Sequence, residues 1–270
     1  MSVQLTQLID DYQAGKKRYR FFDLNSWIVT EGPEQLQPVL GVEALVRSLA
    51  EHGIEQAVVT SARSLDYDAR SGNEELLALI HPFGQLYGAI VWVPELGSTY
   101  KAAYAYFERM IAGRVAAVRW FPKRLRFHLS NWQSGPALKA MEDLKLPLLL
   151  WHVETDWNEV DLLCSSYPEL PVIIEGNDQK LIYHNRSYVP LLARHRHLYL
   201  ETHGLVQHAE IDSLVNTFGA DRLLFGTYHP HNDPDAFMMM VTDADIAEET
   251  KHAIAGEHLR RLIDGIKSAL

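Results

Sequence analysis

An α/β fold of the (β/α)8 TIM-barrel type is predicted by three features of this 270-residue sequence. Eight short apolar or β-branched runs alternate with segments of helical period. The runs recur every ~25–30 residues, the spacing of a strand plus a crossover helix. Several runs, such as Ala57-Val58-Val59 and Pro147-Leu148-Leu149-Leu150, are apolar without alternation, the pattern of parallel strands covered on both faces. A single barrel needs ~250 residues, and no Gly-, Ser- or Pro-rich linker divides the chain, so one domain is expected over residues 1–270.

The elements follow in order. Residues 1–18 read as a helical extension ahead of the first strand. Strands are expected at 20–24, 56–61, 86–94, 115–122, 146–153, 171–175, 198–202 and 222–227. Helical period marks 42–52, where Leu45, Val46 and Leu49 form one stripe and Gly53 supplies a C-cap. The segment 99–113 carries Ala103, Tyr106, Phe107, Met110 and Ile111 in the same way, and 135–144, 159–166, 188–195, 209–218 and 258–270 read similarly. Long loops at 29–40 and 229–237, rich in Pro, Gly and Asp, are expected to cap the C-terminal mouth of the barrel. An open doubly wound sheet is the structural alternative, but no Gly-x-Gly-x-x-Gly follows a strand.

Composition narrows the function classes. A formal net charge of −10 argues against nucleic acid or an anionic membrane as partner. No apolar run reaches the ~20 residues of a membrane span, and residues 1–15 lack a signal-peptide pattern, so a cytoplasmic protein is expected. One cysteine, Cys164, excludes an internal disulfide and reads as a buried structural thiol. The expected partner is a small molecule, and a homo-oligomer is compatible with the sequence.

Polar residues gather at the predicted C-terminal strand ends, where this fold places its sites: Asn25 and Trp27, Thr60 and Ser61, Trp92, Arg119, His152 and Glu154, Glu175 and Asn177, Glu201 and His203, Tyr228 and His229. Arg119 suits bidentate binding of a carboxylate, or else a salt bridge to a neighbouring strand-end acid. His152 suits general acid–base work, its protonation set by burial beside Glu154 or Glu201. Tyr228 suits donation to an oxyanion, or else plugs space together with Trp27.

Four segments carry a resemblance: Phe22-Asp23-Leu24-Asn25-Ser26-Trp27, Ala117-Val118-Arg119-Trp120-Phe121-Pro122, Leu146 to His152, and Gly219 to His231, with a closing helix around 253–262. Together they resemble the amidohydrolase superfamily, in particular its amidohydrolase-related (type 2) branch of metal-dependent hydrolases and decarboxylases. The resemblance implies a metal held by His-x-His on strand 1, a histidine on each of strands 5 and 6, and an aspartate ending strand 8. That metal would lower the pKa of a bound water and polarise the substrate carbonyl. In this chain the strand 1 positions hold Asn25 and Trp27, strand 5 keeps His152, strand 6 has Gly176 (or Glu175 with a one-residue shift), and strand 8 has Tyr228. Four of five ligand positions are lost, so the ordinary site is expected not to form and no cofactor is expected. A rearranged divalent site from His152, Glu175, Glu201 and His203 is the alternative.

The expected function is a hydrolase of metal-independent lactone or ester type, or one with an altered metal, acting on a small carboxylate-bearing molecule. His152, Arg119 and Tyr228 are the expected catalytic residues, and Asn25, Trp27, Glu154, Glu175, Asn177, Glu201, His203 and His229 the expected ligand contacts. A catalytically inactive binding or regulatory protein and a decarboxylase of an aromatic or unsaturated acid are the alternatives.

Overall fold

The structure is a computed structural model that describes residues 3–29, 40–176 and 181–267. Helix α1 (Val3–Lys16) precedes β1 (Phe21–Ile28). There follow α2 (Val42–His52), β2 (Ile54–Ser61), α3 (Ala62–Asp66), α4 (Ala69–Ile80), β3 (Leu86–Val91), α5 (Tyr100–Ala112) and β4 (Val115–Trp120). The second half runs α6 (Asn131–Leu144), β5 (Leu148–Trp151), α7 (Trp157–Ser166), β6 (Val172–Glu175), α8 (Asn185–Arg194), β7 (Leu198–Glu201), α9 (Glu210–Phe218) and β8 (Leu223–Leu224). Helices α10 (Pro234–Thr242), α11 (Glu248–His252) and α12 (His258–Asp264) close the chain.

The eight strands are parallel and ordered β1 to β8 around a nearly closed barrel. The seam between β8 and β1 is drawn together by the Leu24 N–H to the Phe225 carbonyl at 3.0 Å and the Trp27 N–H to the His229 carbonyl at 2.7 Å. Every residue of β1 is buried, as the unbroken apolar runs require of a sheet covered on both faces. Helix stripes fill the outer layer: Leu45 and Leu49 from α2, Leu76 and Ile80 from α4, Phe107 and Met110 from α5. Gly53 adopts φ 82° at the end of α2, the left-handed cap that glycine takes without strain. Cys164 is buried, and burial pushes its thiol up to about 12, so it is no nucleophile at neutral pH.

Two differences from the sequence reading have clear causes. Helix α4 lies where the sequence reading assigns no element, because Ala69 to Glu75 are small, polar or charged and the apolar residues bunch at Leu76 to Ile80. The loop expected at 229–237 gives way at Pro234 to α10, whose N-cap Asp233 accepts from the Asp235 N–H at 3.0 Å. The loop expected at 29–40 falls largely outside the described residues.

Inside the barrel, Phe22, Leu24, Val58, Ala89, Ala117, Leu149, Ile173 and Leu224 form a separate apolar cluster. Period-2 alternation then puts the residue two positions further along each strand one layer higher on the same inner face. Those residues include Thr60, Arg119, Trp151 and Glu175, and Glu201 stands two beyond Tyr199, which packs against the same cluster. The floor of the barrel is therefore hydrocarbon and the layer above it is polar and aromatic. On β1 the pairing with β2 slips between Asp23 and Ser26. An irregularity of this kind resets the alternation, and it is how Asn25 and Trp27 turn inward above Leu24.

Candidate functional site

Arg119 stands at the centre of the inner layer, fully buried. Its Nε donates to Glu175 Oε2 at 2.9 Å and its Nη2 to Glu175 Oε1 at 2.6 Å, a bidentate pair across strands β4 and β6. Nη1 donates to Thr60 Oγ1 at 2.5 Å, and Nη2 also reaches Asn25 Oδ1 at 2.9 Å. The Trp27 ring lies over the guanidinium with 4.9 Å from Cζ to the ring centroid. Of the two roles open to Arg119 from sequence, the structure shows the salt bridge. Burial pushes the Glu175 carboxyl up, and Arg119 pulls it back through charge and hydrogen bonds.

Asn25 has a fixed orientation. Trp27 Nε1 donates to its Oδ1 at 2.9 Å, and Arg119 donates to the same oxygen, so Nδ2 points elsewhere. That Nδ2 is buried and has no hydrogen-bond partner. Below it, Asp23 fastens the seam by accepting from the Asn25 N–H at 2.9 Å, Ser26 Oγ at 2.5 Å, the Thr227 N–H at 3.0 Å and Thr227 Oγ1 at 2.7 Å. Asp23 escaped the sequence reading, because a strand-interior aspartate looks local until Thr227 is seen beside it.

His152 lies just beyond β5, where its N–H donates to the Glu175 carbonyl at 3.1 Å. Its ring Nδ1 is 3.4 Å from the same oxygen, and its Nε2 is buried without a partner. Desolvation drives the imidazole down to about 4, with neighbouring His184 and His203 adding to the effect, so the ring is neutral at pH 7. Nδ1–H toward the carbonyl leaves the Nε2 lone pair bare. The inward position on β5 belongs instead to Trp151, which the sequence reading did not single out.

Trp27, Phe121, Trp151 and Tyr228 form the aromatic wall. Trp27 and Trp151 are 5.8 Å apart, Phe121 and Trp151 4.8 Å, and Tyr228 meets Trp27 and Trp151 edge-on at 6.1 and 5.8 Å. Tyr228 adopts φ 58°, uncommon for a side chain of this size, and stacks on His203 at 5.6 Å and on His231 at 4.4 Å. Glu201 accepts from the His203 N–H at 2.8 Å and pairs with His203 Nδ1. Two glycines make room for this pair. A Cβ on Gly226 would lie 2.3 Å from Glu201 Oε1, and one on Gly176 would lie 3.3 Å from His203 Nε2.

Other expected contacts are placed apart from this cluster. Glu154 turns to the Arg124 N–H at 2.9 Å and supports the loop after β4. Trp92 stacks on Trp120 at 4.4 Å and meets Phe127, sharing the parity of Trp120 rather than that of inward Arg119. His229 is buried beside His52, ring centroids 6.0 Å apart, with Nδ1 3.3 Å from the Asn232 carbonyl. Asn177 lies outside the described residues.

The donor set at the mouth does not fit a divalent ion bound in the manner the resemblance implies. The Asn25 oxygen already accepts two N–H groups, Trp27 offers no lone pair, Gly176 has no side chain, and a locked guanidinium sits between β1 and β6. The alternative set of His152, Glu175, Glu201 and His203 is divided, since Glu175 binds Arg119 and Glu201 binds His203. Among the described residues, the set whose ligand atoms converge within 4.8 Å is His52, Asp233 and Asp235, of which Asp235 also pairs with Lys16 at 3.0 Å.

Comparison with known proteins agrees with this architecture. The structure superposes on a dihydroxybenzoic acid decarboxylase from Polaromonas sp., solved with manganese and 2-nitroresorcinol, with TM-score 0.71, 17% identity, and 91% and 97% of the two chains covered. An uncharacterised TIM-barrel protein from Bordetella bronchiseptica gives TM-score 0.70 at 17% identity over 91% and 99%. A structure assigned as a 2-pyrone-4,6-dicarboxylic acid hydrolase, from Acinetobacter baumannii with citric acid bound, gives 0.64 at 13% identity over 91% and 99%. No curated protein sequence matches the chain. No helix among the described residues is long and apolar enough to cross a membrane. The amidohydrolase family profile matches residues 36–257, most of the barrel, and the chain belongs to the amidohydrolase family.

Proposed function

We propose that this protein is a hydrolase of small planar esters or lactones in which His152 is the general base. The observation that carries the reading is the bare, buried Nε2 of His152 on a ring kept neutral at pH 7. A neutral imidazole can take a proton from water as that water attacks a carbonyl. The unpaired Asn25 Nδ2 supplies a fixed N–H donor for the oxygen on which charge develops. Its orientation is set in advance by Trp27 and Arg119, so it needs no rearrangement during reaction. The walls of Trp27, Trp151 and Tyr228 favour a flat substrate. A substrate carboxylate is not required, because the Arg119 guanidinium is engaged by Glu175, Thr60 and Asn25.

Turnover of an aryl ester and lactone panel by the parent and a His152→Ala variant tests the proposal. The variant is expected to lose about 10²–10⁴-fold in kcat/KM. Equal rates in parent and variant would remove His152 from the mechanism, and no turnover by the parent on any ester or lactone would favour a binding role. A decarboxylase is the second reading, supported by the solved decarboxylase sharing this fold. Release of carbon dioxide from hydroxybenzoates would favour it.

A further inference from the structure

We propose that the Arg119 guanidinium has replaced the divalent cation of the family, as a covalently attached, non-exchangeable positive charge at the mouth of the barrel. The inference rests on family membership and on geometry, and not on the proposed hydrolysis.

The replaced ligands make sense together as a guanidinium site. A guanidinium presents planar N–H donors and wants acceptors in its plane and an aromatic face above it. Asn25, at the first strand 1 ligand position, offers an oxygen that Arg119 Nη2 reaches at 2.9 Å. Trp27, at the second, cannot bind a metal through a lone pair, yet it lies 4.9 Å over the cation. Its Nε1 also fixes the Asn25 amide so that oxygen rather than nitrogen faces Arg119. Glu175 at the end of β6 supplies the counter-charge through two parallel hydrogen bonds, and Thr60 on β2 accepts the fourth. Both strand 1 changes that spoil a metal site build this one.

The charge arithmetic points the same way. Within the Arg119–Glu175 pair the charges cancel, so Glu175 is not free to hold a dication, which the guanidinium would repel at close range in a poorly solvated interior, and the other buried carboxylates are engaged, Asp23 by Ser26 and Thr227 and Glu201 by His203. Arg119 also acts at a distance as a positioning residue. Its partner Glu175 presents the carbonyl to which the His152 N–H donates at 3.1 Å and against which His152 Nδ1 lies at 3.4 Å. Holding the Glu175 side chain therefore holds the platform of the His152 ring.

The probe is Mn²⁺ alone. The full-length protein carries Asp233→Asn and Asp235→Asn, so that the peripheral His52 group does not contribute. It is treated with chelator, dialysed and titrated with Mn²⁺, and the His152 ring resonances are followed for paramagnetic broadening. The expected result is no stoichiometric binding at the mouth and no selective loss of the His152 signals. Stoichiometric Mn²⁺ that broadens His152 in this protein would overturn the proposal, whatever the enzyme does to esters. Arg119→Ala, with Glu175 retained, is expected to bind Mn²⁺ at least about tenfold more tightly than the Arg119 protein, because an adjacent unit charge has gone. If that variant folds and gains no Mn²⁺ affinity, Arg119 is not standing in for the ion. If it does not fold, Arg119→Lys, which keeps the charge, is expected to fold and to exclude Mn²⁺ as the parent does, and Mn²⁺ binding by it beside His152 would also overturn the proposal.

Discussion

Removing one member of the Arg119–Glu175 pair should cost far more than removing both. Arg119→Met leaves a carboxylate with no exposure and no counter-charge, and Glu175→Leu leaves a guanidinium in the same state. Breaking a buried pair from one side costs about 3–5 kcal/mol, whereas replacing both partners by apolar groups of similar volume is often close to neutral. At about 2–4 °C per kcal/mol for a protein near this size, each single variant should melt about 6–20 °C below the parent. The double variant should recover most of that loss. The coupling energy in a urea-denaturation cycle is thus expected at several kcal/mol, with little change in m-value. Arg119→Met also carries a pH signature. Burial already pushes Glu175 up while Arg119 is present, and without Arg119 its folded pKa lies further above the unfolded value of ~4.3. The folded state then holds a proton that the unfolded state has released, so this variant should lose stability as pH rises above about 4.3. Additive single costs, or an Arg119→Met variant whose deficit relative to the parent is flat with pH, would refute the reasoning.

Four further outcomes are expected. His152 is held at about 4 in the folded chain, below its ordinary value, so its share of stability is full above pH 6.5 and falls as pH drops toward 4. The loss amounts to about 2 kcal/mol by pH 5, and comparing His152→Gln with the parent at pH 5 and 7 by urea unfolding isolates it. If His152 is the base, kcat/KM should fall on the acid side with a midpoint near 4 rather than 6.5. Gly226→Ala pushes a methyl to 2.3 Å from Glu201 Oε1 and should cost about 1–3 kcal/mol while shifting the His203 ring resonances, so unshifted resonances would argue against a fixed Glu201–His203 pair. Asn73→Leu strips the partners of the Val91 N–H and carbonyl, 2.9 and 2.7 Å from the amide, and should cost at least about 2 kcal/mol in thermal unfolding without touching the mouth.

Sequence alone carried the barrel, because strand–helix spacing and unbroken apolar runs are properties of consecutive residues, and a parallel sheet covered on both faces demands them. The same holds for the resemblance-based reading that Asn25, Trp27, Gly176 (or Glu175) and Tyr228 stand at the family's ligand positions, which compares residue identities at motif positions. It could name Arg119 as a residue facing the mouth but not say what it touches. Its carboxylate partner is 56 positions away and its amide partner 94, and period-2 alternation fixes a face without fixing a neighbour. Nor could it foresee that the slip between Asp23 and Ser26 would turn both Asn25 and Trp27 inward, or that Trp151 rather than His152 would take the inner place on β5. Such choices depend on how eight strands close on one another, since only closure decides which side chain lies opposite another across the barrel. The chain itself specifies which groups reach the mouth, and tertiary structure decides that a guanidinium, two acceptor side chains and a carboxylate meet there as one site.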